Sequence, residues 1–252
     1  MKVFYFTATG NCLYAAKYLS DGNHESIIQA AKSDMRHFTD DVIGFVFPTF
    51  AFCVPKIFVE FLETHTFSAQ YVFAIATCGT FHGGALSQFQ KILAKQNVRL
   101  NYSNFLNMAE NYLPNFPMDD VVAKQRNDSA QIKLKEIKAD IKVRTNRLYK
   151  DKFSDKAKYV MGGMAYGKIL APNLDERFQI NDTCIKCGIC VRICPVNNIW
   201  MADKPQFQHR CIHCMACIQN CPVKALRHTK EGSGGRYRHP GVETKEIVEA
   251  NE

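Results

Sequence analysis

Residues 1–20 read MKVFYFTATGNCLYAAKYLS. Residues 3–6 are four consecutive β-prone apolar side chains, which is the length and composition of a short buried strand. Residues 7–12, TATGNC, make a polar turn around Gly10, and residues 13–19 carry a helical pattern that Gly22 stops. A strand feeding a helix through so short a turn leaves the unpaired N–H groups and the positive dipole end of that helix at the turn. Thr7 and Thr9 add hydroxyls, and Gly10 lets the backbone approach closely. The turn is therefore a candidate cup for a terminal phosphate monoester.

The same order recurs downstream. Residues 24–29 read as a weak strand. Residues 42–47 read as a strong one, followed by a loop to Pro55 and a helix through Phe58, Phe61 and Leu62. Residues 71–76 predict a further strand, residues 78–84 a glycine-containing loop and residues 85–94 a helix; residues 98–108 are a fifth apolar segment. Alternation at this pace predicts an α/β domain built on a doubly wound parallel five-stranded sheet. Residues 118–161 lack glycine and proline, and Ala130, Leu134, Ile137, Ile141 and Leu148 recur at helical spacing. They predict a final helix that covers the sheet and turns a basic face to solvent.

Hydrophobic residues at 46% exclude a disordered or collagen-like chain. A formal charge of +8 suits an acidic protein partner, an anionic surface or nucleic acid without choosing among them. The most membrane-like stretch, residues 42–62, is interrupted by Lys56, Glu60, Pro48 and Pro55 and leaves only residues 42–55 uncharged, shorter than the roughly 18 residues of a spanning helix, so no membrane span is expected. Lys2 and the threonines at 7 and 9 interrupt the first apolar run too early for an export signal, and a cytoplasmic chain is expected. No G-x-G-x-x-G follows a predicted strand. Residues 162–168 match the start of a P-loop, but Ile169 stands where magnesium would need a hydroxyl.

Eight of the eleven cysteines lie in two runs: Cys184, Cys187, Cys190 and Cys194 before Pro195, then Cys211, Cys214, Cys217 and Cys221 before Pro222. Each run is C-x2-C-x2-C-x3-C-P. Zinc favours isolated C-x2-C pairs, which these runs do not divide into, and disulfides conflict with a cytoplasmic chain. Closely spaced thiolates match iron-sulfur clusters, because soft sulfur ligands suit them and successive backbone N–H groups can point at the inorganic sulfur. His209 and His213 flank the second run, but sulfur already supplies eight ligands.

This pattern resembles that of bacterial two-cluster ferredoxins. The resemblance implies one 4Fe-4S cluster on Cys184, Cys187, Cys190 and Cys221, and another on Cys211, Cys214, Cys217 and Cys194. Phe6-Thr7-Ala8-Thr9-Gly10-Asn11 in turn resembles the T/S-x-T-G-N-T phosphate loop of flavodoxins, with Cys12 in place of the usual hydroxyl. That likeness implies FMN, with the ring held by Pro48, Thr49, Phe50, Ala51 and Phe52 on one side. On the other side it implies Cys78, Gly79, Thr80, Phe81, His82 and Gly83. Together with Pro48-Thr49-Phe50-Ala51-Phe52-Cys53-Val54-Pro55, these features resemble a family of bacterial fusions that join a flavodoxin-like domain to a two-cluster ferredoxin, over residues 1 to about 228.

The expected organisation is a flavodoxin-like FMN-binding domain at 1–150 and a linker at 151–180, centred on the glycines and proline of 161–172. A small α+β bacterial ferredoxin-like domain follows at 181–228, then a flexible polar tail at 229–252. The resemblance implies an electron carrier of an oxygen-poor cytoplasm that passes electrons between two 4Fe-4S clusters, FMN and a redox partner protein, with no role for nucleic acid. One alternative is an FMN-dependent reductase of a small-molecule acceptor, with His82 or Tyr112 as proton donor. A second is a flavin-free sensor or scaffold. Cys12, Cys53 and Cys78 all fall in the predicted flavin loops, as small buried side chains or as a redox-active thiol.

Overall fold

The structure, a computed structural model, describes residues 1–118, 120–169, 173–232 and 234–252. The first strand, β1 (Lys2–Tyr5), runs into α1 (Asn11–Ser20), then β2 (His24–Ser26) and α2 (Ile27–Lys32). A short β3 (His37–Thr39) precedes β4 (Val42–Pro48) and α3 (Lys56–Thr64). After β5 (Thr66–Ser68) come β6 (Tyr71–Cys78), α4 (Ala85–Lys95), β7 (Tyr102–Asn107) and α5 (Asp120–Lys142). Five strands form one parallel sheet in the order β2-β1-β4-β6-β7, while β3 and β5 pair apart from it. Counted along the chain the order is 2-1-3-4-5, that of a doubly wound α/β domain. The second strand is shorter than its apolar run suggests, because the Ser26 side chain accepts from the Ile28 N–H at 3.2 Å and starts a helix there.

Strand alternation divides the core. Phe4, Phe45 and Phe47 meet Phe58, Phe61 and Phe89 of α3 and α4 on one face. On the other, Val3, Tyr5, Val46 and Ile75 meet Ala15, Ala16 and Leu19 of α1 and Ala130, Leu134, Ile137 and Ile141 of α5. The single long helix expected over 118–161 is two helices. After α5, Arg144 takes a left-handed conformation, and the chain pairs with the outer edge of β7 through Arg147 N–H to Asn101 O and Ser103 N–H to Arg147 O. An open sheet edge competes with helix continuation here and wins.

The segment expected as a linker is largely α6 (Phe153–Ile169). Gly162 sits so close to the Ala51 carbonyl and the Phe52 ring that any side chain would collide with them. Next come a 3-10 turn (Leu174–Arg177), β8 (Phe178–Ile180), α7 (Ile189–Arg192), the hairpin β9 (Ile199–Met201) and β10 (Pro205–Phe207), α8 (Ala216–Gln219) and β11 (Leu226–His228). β11 pairs antiparallel with β8, closing this small α+β module.

The flexible polar tail expected at 229–252 is corrected by the structure. A helix, α9 (Thr244–Asn251), opens with a capping box formed by Glu243 and Glu246, and Tyr237, Val242, Ile247, Val248 and Ala250 are buried. Val242, Ile247, Val248 and Ala250 join the same core as α1 and the module. Ile247→Ala is expected to lower stability by about 2–5 kcal/mol in urea denaturation. A tail without packing would show no change.

Candidate metal centre

The two cysteine runs fold alike. In each, the third cysteine, Cys190 or Cys217, lies on a four-residue helix, α7 or α8, whose preceding residue, Gly188 or Met215, is left-handed. The fourth cysteine of each run accepts from a backbone N–H four residues on: Asn198 to Cys194 Sγ at 3.3 Å and Ala225 to Cys221 Sγ at 3.2 Å. The His213 N–H reaches Cys211 Sγ at 3.3 Å. Such donors favour negative charge on sulfur.

Packing α7 against α8 exchanges the fourth cysteines. One cavity is lined by Cys184, Cys187, Cys190 and Cys221, with Ile180, Ile189 and Val223. A second is lined by Cys194, Cys211, Cys214 and Cys217, with Phe178, Ile199 and Ile212. Each cavity takes three cysteines of one run and the last of the other. Among the described residues, no group of three or more His, Cys, Asp or Glu converges on a point that would hold a single ion. Four thiols spread around a cavity suit a polynuclear cluster better than zinc. Burial pushes the Cys190 thiol up to about 11 and the Cys211 thiol up to about 12, and raises Cys214 and Cys217 as well. Iron is what would hold them as thiolates.

Residues 158–237 match the family of 4Fe-4S dicluster domains. The chain carries a 4Fe-4S dicluster domain. No curated protein matches the chain. The matched dicluster region begins within α6 and extends past β11, so it is wider than the expected 181–228.

Sequence reasoning missed a buried support of the second cavity. Asp175, 1% exposed, accepts from Asn198 Nδ2 at 2.7 Å and pairs with His209 Nδ1 at 2.6 Å. Asn198 also accepts from the Arg210 N–H at 2.6 Å, which ties the chain after Cys194 to the chain before Cys211. His213 donates or accepts through Nδ1 with the Tyr112 hydroxyl at 2.9 Å and stacks on Phe178. Its pKa falls to about 4, chiefly by burial and then by His228 and Arg177.

The expected flavin residues do gather at the C-terminal ends of β1, β4 and β6. Thr49 N–H donates to Thr77 O at 2.9 Å, and Cys12 Sγ lies 3.2 Å from Thr77 Oγ1. The space between them is filled by the chain itself. Thr7, Ala8, Thr9, Gly10, Asn11 and Cys12 are all buried, and the Gly10 N–H is taken by Thr7 Oγ1 at 3.1 Å. Phe50 packs edge-on against Phe6, and Ala51 and Phe52 lie under Gly162 of α6. The Phe52 Cβ would stand 2.5 Å from a side chain at Gly83, and Glu110 covers Gly79. His82 stacks on Phe105 and bonds Tyr149 and Asn107 through its two nitrogens. Phe81 is exposed beneath Lys158 Nζ. FMN does not fit these residues as they are arranged. Cys12 and Cys53 are buried thiols pushed up to about 12 and about 11, chiefly by that burial, which favours the thiol over the thiolate.

Asp175→Ala leaves the buried Asn198 amide without its acceptor and frees the half-exposed His209 ring, and is expected to cost about 1–3 kcal/mol in urea denaturation, with faster iron loss in air.

Proposed function

We propose that the chain is an electron carrier with two 4Fe-4S clusters, one held by Cys184, Cys187, Cys190 and Cys221 and the other by Cys194, Cys211, Cys214 and Cys217. The observation that carries this reading is the division of eight cysteines between two cavities, each completed by the last cysteine of the opposite run. Each cluster, when bound, accepts and returns one electron at a potential set by the surrounding protein.

The residues divide that work unequally. Backbone N–H groups of Asn198 and His213 support the second cavity, and Cys194 and Cys217 keep its sulfurs from water. Cys187 is exposed, beside Ile185 at 61% and near the hairpin that carries Trp200 at 48%. A redox partner protein reaches the first cavity from that side. The α/β domain serves as the frame that encloses the second. The flavin part of the expected mechanism is not included, because its loops are filled. Nor is the reductase: the Tyr112 hydroxyl is committed to His213 and both His82 nitrogens are bonded.

Anaerobically purified chain is expected to contain about eight iron and eight sulfide. Cys187→Ser and Cys217→Ser are each expected to remove or alter one cluster in the electron paramagnetic resonance spectrum and leave the other. A chain that takes up zinc but no iron and sulfide would overturn the reading.

A further inference from the structure

The turn after β1 has three successive carbonyls, and each accepts from a different part of the C-terminal half. Asn251 Nδ2 donates to Thr7 O at 3.2 Å, Asn220 Nδ2 to Ala8 O at 3.3 Å and the His239 N–H to Thr9 O at 2.8 Å. The Tyr237 hydroxyl donates to Asn11 Oδ1 at 2.7 Å. Asn111 Nδ2 bonds Thr9 Oγ1, and Gln219 Nε2 reaches Asn111 O at 2.7 Å. These bonds engage the carbonyls of the turn and the side chains of Thr9 and Asn11.

Shape agrees with bonding. A Cβ at Gly10, where φ is +93°, would lie 3.0 Å from Val242 Cβ and 3.2 Å from His239 Cβ. The His239 ring stacks on Tyr14 of α1 with centroids 4.0 Å apart. Asn251 has a second role: the same amide reaches Ile193 O at 3.1 Å, next to Cys194. Arg192 of α7 holds the Glu252 carboxylate through two bonds of 2.8 and 2.9 Å, and Lys17 of α1 holds Glu246 at 2.6 Å. One segment thus grips α1, the turn and a cysteine-bearing helix together.

We propose that residues 237–251 are an internal clasp that occupies the phosphate-loop-like turn, residues 7–11, and joins the α/β domain to the dicluster module. The turn works by its carbonyls, as an acceptor of protein donors, while the Gly10 N–H is taken within the turn by Thr7 Oγ1. The clasp closes the position a phosphate would take, so FMN is excluded from the intact chain. Its closure depends on Gly10 having no side chain and on Val242 and Ile247 being apolar.

Hydrogen exchange of the anaerobic, iron-loaded full-length chain tests this without a substitution. The His239 amide is expected to exchange at least about 100-fold more slowly than in an unstructured peptide. Added FMN is expected to leave the rates in residues 7–12 unchanged, with no flavin retained after desalting. In the full-length Val242→Asp variant, trypsin is expected to cut within residues 236–245 at least about tenfold faster than in the parent. Exchange of His239 at the unstructured rate, or one FMN retained per chain, overturns the clasp whatever the variant does. Iron content on the same sample separates the two proposals. Low iron with a protected His239 sinks the electron carrier and leaves the clasp; full iron with an unprotected His239 does the reverse.

Discussion

The three carbonyls of Thr7, Ala8 and Thr9 are the constraint on which the two-part architecture rests. A parallel sheet leaves polar backbone at the carboxyl ends of its strands, and buried carbonyls need donors. Here Asn251, Asn220 and His239 supply them, from three points of the C-terminal half. The crevice at the point where strand order reverses, between β1 and β4, is consequently an internal joint. Removing any of the donors leaves a carbonyl buried and unpaired, so the domains are held by complementarity of polar groups as much as by the apolar core they share.

The shared core explains why the module needs no linker. Ile193, Ile199, Ile218, Val242 and Ile247 lie in the same apolar cluster as Val3, Leu19 and Leu134. Cys214 and Ile212 also touch the opposite core, which holds Phe50, Val54 and Cys78. Cys214 therefore sits at the boundary of both faces of the sheet. A module this small buries too little on its own, and packing it on a larger sheet supplies the missing apolar area.

Much of the fold is legible in the sequence because periodicity reports burial directly. Residues 42–47 and 71–76 are continuous apolar runs, as strands buried on both faces must be, and the cysteine spacing is a local pattern with a local cause. What stays hidden depends on partners distant in sequence. The glycines of 161–172 look like a linker, yet Gly162 marks a helix passing close to the 51–52 backbone. Residues 231–252 look polar and without apolar periodicity, because their burial is secured by Tyr237, His239 and Asn251 bonding to residues 1–20. Asp175 reads as an ordinary surface acid until the fold brings Asn198 and His209 to it. The TATGN turn shows the converse case. Its letters and its place after a strand are as expected for an anion cup, but a loop's function depends on what occupies it.

The joint also fixes an asymmetry between the two cavities. The clasp, Asn220 and Gln219 press the module onto the sheet from the side of Cys194 and Cys217, both 8% exposed. The opposite side keeps Cys187 exposed, and Lys204 and Lys186 there are paired with Asp182 and Asp203. Charge near the open cavity is therefore largely balanced, and the exposed apolar pair Ile185 and Trp200 offers contact area where electrostatic steering would be weak. Burial lowers the local dielectric around the enclosed cavity and penalises net negative charge, which N–H donors from Asn198 and His213 partly offset. Two chemically equal ligand sets thus stand in unequal surroundings, one enclosed by the α/β domain and one open to solvent at Cys187.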